Sequence, residues 1–149
     1  MLARCLLIPP ECEGPMPSHC CYNCRMTKYF TSEEANLALP QVRLLVAQIM
    51  QAREAIIAAQ PELWPVLEKS IGNGGSKKAG ELLTEFRRVE QGVKSLQEIG
   101  CVLKDMSIGL VDFPALRDGH EVLLCWKYDE PEVMFWHDLQ SGYQGRKRL

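Results

Sequence analysis

The side chains that could do chemistry are concentrated between Ile108 and Arg146. His137 lies there beside Asp138, in the last predicted strand. Asp112 lies two predicted strands earlier in the chain. A histidine oriented by a carboxylate can act as an acid/base catalyst near neutral pH. His137 and Asp112 are therefore the catalytic candidates. In the alternative interpretation, His137 only holds backbone carbonyls at the edge of a sheet.

Two arginines in the same region could bind an anion. Arg117 lies in a predicted turn, and Arg146 follows a glycine-containing segment that could fold back on the domain. Guanidinium groups bind carboxylate or phosphate through paired hydrogen bonds, so the two side chains could form a clamp. Asp118 and Trp136 are further ligand-binding candidates. Alternatively, the arginines pair with nearby acids and brace the turn, and Trp136 belongs to the core.

The position of Cys125 relative to His137 depends on the hairpin between them. A two-residue loop at Asp129-Glu130 would pair Leu123 with Trp136 and place Cys125 and His137 on opposite faces of the sheet. A three-residue loop would shift the pairing by one residue. The first register disfavours a Cys125–His137 metal pair or catalytic dyad, so Cys125 is interpreted as a small buried hydrophobic residue.

Five of the seven cysteines lie in the first 24 residues. Cys12, His19, Cys21 and Cys24 could in principle supply a tetrahedral zinc site, which usually needs two spaced ligand pairs. Only the Cys21–Cys24 pair has such a spacing. We therefore expect no cofactor, and we interpret residues 1–25 as a disordered leader or an over-extended start before a single domain at 26–149.

Composition restricts the class of protein and its partners. The 149 residues are 46% hydrophobic and 24% charged, which is typical of one soluble globular domain. A formal charge of -2 gives no electrostatic attraction to nucleic acid or anionic membranes. The sequence contains neither an apolar run of membrane-spanning length nor a secretory signal, so a cytoplasmic location is predicted.

The first half of the domain has helical patterns. Thr31 and Glu34 form a capping box that begins a short helix, and Pro40 predicts a break before a longer helix ending near Gln60-Pro61. Residues 62–67 are then a connection, and the glycine-rich residues 71–78 are a flexible loop. A second helix over 79–99 carries apolar residues at alternating spacings of three and four, and these predict a packed seam in a helical hairpin at 32–99: Leu82, Phe86, Val89, Val93 and Leu96.

After Gly100 the apolar spacing changes to two, which predicts strands. The predicted strands cover residues 101–104, 109–113, 121–127 and 132–137, with a turn at Arg117-Asp118-Gly119. Residues 146–149 are predicted to be a basic, solvated tail after the β region at 101–138. The predicted fold class is α+β: an antiparallel hairpin of long helices packed with a small C-terminal antiparallel β-sheet.

Residues 27–149 resemble a prokaryotic family of small proteins catalogued as domain of unknown function 2203. The resemblance lies in the segments 29–31, 34–36, 39–40, 72–75, 109–114, 117–119, 121–122, 124–126, 130–132, 136–137 and 145–146, of which Gly109-Leu110-Val111-Asp112-Phe113-Pro114 is the most specific. Members usually carry glycine at the hairpin position occupied here by Asp129. The resemblance implies which domain this is and brings no activity with it.

Two functions are compatible with these residues. The first is a non-enzymatic binding or assembly module that forms a homodimer through the helical hairpin and binds an unknown protein or a small anion at the sheet, where an anion-binding cleft is expected. The second is a small enzyme, with or without a metal, that uses His137 as acid/base with Asp112 and the arginine clamp. The sequence favours the first, because the expected register brings together neither a nucleophile–base pair nor a full set of metal ligands.

Overall fold

The computed structural model describes residues 28–70 and 77–149, with only the backbone described at residue 60 and residues 62–70. The expected leader at 1–25 and the zinc candidates Cys12, His19, Cys21 and Cys24 lie outside the described residues, as does most of the predicted loop at 71–78. Two helices and a five-stranded antiparallel sheet form the predicted α+β arrangement.

Helix α1 (Ser32–Ser70) is one long helix. The predicted capping box begins it: the Thr31 amide donates to the Glu34 carboxylate at 2.9 Å, and the Glu34 amide donates to Thr31 Oγ1 at 3.2 Å. The predicted break at Pro40 is wrong, and so is the predicted end near Gln60-Pro61. Pro40 is exposed and removes one helical hydrogen bond, whereas the apolar stripe runs past it on the buried side, at Ala35, Leu39, Val42, Val46 and Ile49.

Helix α2 (Lys77–Ile99) packs antiparallel to α1, and Gly92 lies directly against Ile49 in their contact. Gly100 ends the helix as predicted, with φ of 107° and a hydrogen bond from its amide to the Leu96 carbonyl. The predicted seam is only partly buried. Leu96 is fully covered, whereas Phe86 is 52% exposed.

The sheet consists of β1 (Val102–Asp105), β2 (Leu110–Arg117), β3 (His120–Lys127), β4 (Phe135–Asp138) and β5 (Lys147–Arg148), in that spatial order. Asp118 and Gly119 form the predicted turn between β2 and β3. Both have positive φ, at 52° and 79°, as a two-residue type I′ hairpin requires. The basic residues Lys147 and Arg148 form an edge strand on β4 instead of a solvated tail.

The connection between β3 and β4 is longer than predicted. The two-residue loop at Asp129-Glu130 is wrong, because residues 128–134 separate the strands. Leu123 pairs with His137 and Cys125 pairs with Phe135. This pairing is the second of the two registers considered, which is shifted by one residue from that of a two-residue loop. The shift moves every β4 side chain to the other face relative to β3.

The two faces of the sheet differ in what covers them. Alternate residues of the central strands join the helices in the core, including Val111, Phe113, Val122, Leu124 and Trp126. Their neighbours in sequence point to the opposite side, which we call the outer face. Within the described residues, neither helix is long and apolar enough to cross a lipid bilayer.

Candidate functional site

Three side chains from three neighbouring strands converge on the outer face. They are Asp112 on β2, Cys125 on β3 and His137 on β4, and each is at most 2% exposed. Their donor atoms (a carboxylate oxygen, the thiol sulfur and a ring nitrogen) all lie within 4.8 Å of one another. We call these three residues the outer-face cluster.

Strand pairing accounts for this convergence. Asp112 pairs directly with Cys125 across β2 and β3, so their side chains share a face. His137 pairs with Leu123, two residues before Cys125, and therefore projects from that same face. The imidazole then reaches across β3 toward the Asp112 carboxylate.

Glu130 holds the β3–β4 connection that determines this register. Its carboxylate accepts the Lys127 amide hydrogen bond at 2.8 Å, and its carbonyl accepts the Trp126 indole N–H at 3.0 Å. Arg43 of α1 donates to the carbonyls of Tyr128 and Glu130, at 3.0 and 2.9 Å. The connection is thus attached to α1 as well as to β3.

The hydrogen bond of His137 to the backbone determines which ring nitrogen faces Asp112. Nδ1 lies 2.9 Å from the carbonyl oxygen of Asp138, and because a carbonyl only accepts, Nδ1 carries a hydrogen. In a neutral imidazole, Nε2 then presents a lone pair, and it lies 3.4 Å from both carboxylate oxygens of Asp112. Two acceptors facing each other in a buried site need a proton or a cation between them.

Cys125 is a poor nucleophile in this environment. Burial, together with the nearby Asp112 carboxylate, raises the pKa of its thiol to about 12, while Arg146 opposes the shift. The reactive form of cysteine is the thiolate, which a pKa in this range suppresses at neutral pH. The surroundings of Cys125 therefore disfavour a role as the nucleophile of a hydrolase.

Arg146 lies at the side of the cluster. Its guanidinium lies 3.8 Å from Cys125 Sγ and binds the Glu130 carboxylate through two hydrogen bonds, at 3.3 and 2.5 Å. The rings of Phe135 and Tyr143 contact it at 4.2 and 4.5 Å from their centroids. These contacts hold a positive charge beside the thiol.

The His137–Asp112 pair has the spacing of two ligands of one metal ion. A tetrahedral zinc ion with Zn–N and Zn–O distances of about 2.0–2.1 Å separates its nitrogen and oxygen ligands by about 3.3–3.4 Å. The Nε2–carboxylate distance of 3.4 Å matches that separation, whereas a direct charged N–H···O bond is usually about 2.7–2.9 Å.

Residues 28–149 match the model of a family described as an uncharacterized conserved protein (DUF2203). The chain belongs to the DUF2203 family. The match includes the whole outer-face cluster and begins after the five cysteines of the first 24 residues. No curated protein and no solved structure matches the chain.

In this DUF2203 domain the sequence-predicted site residues separate into two groups. Asp112 and His137 come together as expected, and Arg146 lies near them. Arg117 instead lies 4.6 Å above the ring of Trp136, and adjacent residues Phe135 and Trp136 point to opposite faces. Arg117 and Arg146 are therefore on different sides of the sheet, and the structure does not bring them together as a clamp.

Two other residues of the DUF2203 domain are placed differently from expectation. Asp118 is exposed in the β2–β3 turn, away from the cluster. Cys125, which the two-residue loop had separated from His137, is the third member of the cluster. The lack of glycine at Asp129 was the available signal that this hairpin differs from a tight two-residue turn.

Proposed function

We propose that the protein binds a divalent transition metal of the zinc class through Asp112, Cys125 and His137. The observation that carries the proposal is the 3.4 Å separation of His137 Nε2 from the Asp112 carboxylate, with the Cys125 thiol in the same buried cluster. Nitrogen, sulfur and carboxylate oxygen are all zinc ligands, and a mixed set of this kind suits a borderline-soft metal.

Charge balance supports the proposal. A divalent ion bound to the Cys125 thiolate, the Asp112 carboxylate and a neutral His137 gives a site with no net charge. Such a site suits a buried position, where an uncompensated charge would be strongly unfavourable. The ion would also replace the thiol proton that the high pKa of Cys125 otherwise retains.

The surroundings of the ligands have the form expected of a metal site. Ligating histidines usually donate their second ring N–H to a carbonyl or carboxylate, which fixes the tautomer, and His137 Nδ1 does this toward Asp138. Arg146 beside the sulfur would stabilise its thiolate form. A metal could serve either a binding module or a metal-dependent enzyme.

The test is cobalt(II) binding, because a thiolate ligand produces a sulfur-to-cobalt absorption band. The full chain is used with the five leader cysteines changed to serine: Cys5, Cys12, Cys20, Cys21 and Cys24. We expect one cobalt per chain with a thiolate band. Cys125→Ser should abolish the band and weaken binding at least about a hundredfold, since changes outside the ligands themselves already cost about 10–100-fold.

Cys101→Ser is the matched control. Cys101 is equally buried, but its thiol donates to the Leu96 carbonyl at the end of α2. This variant should keep the cobalt band and its affinity. A chain that binds no cobalt, or a band that persists in Cys125→Ser while Cys101→Ser loses it, would contradict the proposal.

A further inference from the structure

The rim of the outer-face cluster carries a second cation that the metal-ligand set does not use. Lys104 of β1 places Nζ 4.0 Å from the Asp112 carboxylate, and its side chain is 47% exposed, whereas that of Asp112 is 2% exposed. We propose that the metal keeps an exchangeable fourth position that takes a small anion, with Lys104 as the second contact of that anion. This inference rests on the proposed metal site.

The direction of the ligands defines where the fourth position lies. Asp112, Cys125 and His137 all project from one face of the sheet, so an ion bound by them lies on the outer side of β3. The helices pack on the opposite face. Zinc in proteins is usually four-coordinate, and sites with three protein ligands hold water or substrate at the fourth position. That position faces away from the sheet, toward the side where Lys104 is partly exposed.

Lys104 differs from Arg146 in its freedom to meet a ligand. Arg146 is held by two hydrogen bonds to Glu130 and by two aromatic rings, so it contributes a fixed charge. Lys104 is half-exposed, and among the described residues its one ion pair is the long 4.0 Å contact with Asp112. Once Asp112 shares its charge with a metal, that contact weakens and the ammonium group can turn to an incoming anion.

The burial of the cluster restricts the size of the anion. All three ligand residues are at most 2% exposed, so only a small group can reach an ion that they bind. The net charge of the metal site also restricts the class of anion, because a neutral site flanked by the Lys104 ammonium group attracts a single negative charge. The expected ligand is a small monovalent anion such as a carboxylate.

The experiment titrates the cobalt-loaded full chain, with its leader cysteines changed to serine, with azide and separately with acetate. The visible cobalt bands report directly on the fourth ligand. We expect both anions to shift these bands saturably. Lys104→Gln should weaken azide binding about five- to tenfold, the size of one lost charged contact, while the chain still binds one cobalt with its thiolate band.

Lys94→Gln is the control, because Lys94 is an exposed lysine on α2. It should bind azide like the parent chain. Cobalt bands that do not move at high azide and acetate would overturn this inference and leave the metal site intact. An unchanged azide affinity in Lys104→Gln would also overturn it. Failure to bind cobalt at all would instead remove the proposed metal site together with this inference.

Discussion

Burial determines the chemistry of the two described thiols. Cys101 and Cys125 are both fully buried, and burial is the main cause that raises the pKa of each to about 12. Cys101 is a packing residue whose thiol donates a hydrogen bond to the carbonyl of Leu96. Cys125 differs because a carboxylate and an imidazole share its site. The same residue type therefore serves packing at one position and ligand chemistry at the other.

These thiols make the metal-free protein less stable at alkaline pH. The unfolded chain releases its thiol protons near the ordinary pKa of 9.0, whereas the folded chain retains them up to about pH 12. Their contribution is fully present below pH 9 and is lost as pH rises through the folded pKa. Two such thiols lower the free energy of unfolding by up to about 2.7 kcal/mol per pH unit in that interval.

Urea unfolding between pH 8 and 10.5 measures this effect. Tyrosines and lysines also titrate in that range, so the informative quantity is the difference in slope between the parent chain and each variant. Cys101→Ala and Cys125→Ser should each remove about half of the thiol contribution. Equal slopes in all three proteins would show that the thiols titrate normally in the folded state.

At the scale of elements, the β3–β4 connection decides whether the site exists. A shift of one residue between β3 and β4 would turn His137 to the helix side and separate it from Cys125. Glu130 prevents this shift, since it binds the Lys127 amide and Arg146 while its carbonyl binds Trp126 and Arg43. A single loop residue thus links α1, β3 and the segment before β5.

The contact between α1 and α2 depends on the absence of a side chain at Gly92. A Cβ atom there would lie 2.6 Å from Cγ1 and 2.9 Å from Cδ1 of Ile49, which is fully buried. Gly92→Ala should therefore destabilise the protein by about 1–2 kcal/mol, because overpacking outweighs the higher helix propensity of alanine.

Gly80→Ala is the matched change in the same helix. A Cβ atom at Gly80 would meet nothing within 4 Å. This variant should be stabilised by up to about 1 kcal/mol, since alanine loses less conformational entropy in a helix than glycine does. Thermal or urea unfolding of both variants measures the difference. Equal effects of the two changes would show that the helices do not pack closely at Gly92.

At the scale of the whole molecule, the helical hairpin has large apolar side chains that are exposed to solvent. Leu83 and Phe86 of α2 are 50% and 52% exposed. Isolated exposed apolar residues are common, but neighbouring ones on one helix suit an interface between copies. A homodimer through the hairpin remains our proposal for the assembled protein.

Light scattering measures that assembly directly. We expect twice the chain mass of 16.9 kDa for the parent protein, and the monomer mass after Phe86→Lys. Leu116→Lys is the control, because Leu116 is similarly exposed but lies on β2 of the sheet and not on the helical hairpin. A parent protein with the mass of one chain would exclude the dimer.

Local signals in the sequence determined much of this fold. The capping box at Thr31 and Glu34, the glycine end of α2 and the Asp118-Gly119 turn each depend on residues close together in the chain, and all three were predicted. The change of apolar spacing after Gly100 likewise predicted where helices give way to strands. The break predicted at Pro40 was wrong because the apolar stripe of α1 continues past this residue. Burial of that stripe against the rest of the fold outweighs the one helical hydrogen bond that Pro40 removes, and only the tertiary structure shows this.

The candidate site required the tertiary structure. Sequence spacing brought Asp112 and His137 into one hypothesis, because both lie in strands of the same sheet. It could not place Cys125 with them, since strand register depends on long-range hydrogen bonds between α1 and the β3–β4 connection. Arg43 donates to the Tyr128 carbonyl, and Asn36 accepts from the Val133 amide. Local sequence determines what each segment prefers. The pairing of distant segments, which is settled by contacts across the fold, decides which side chains meet.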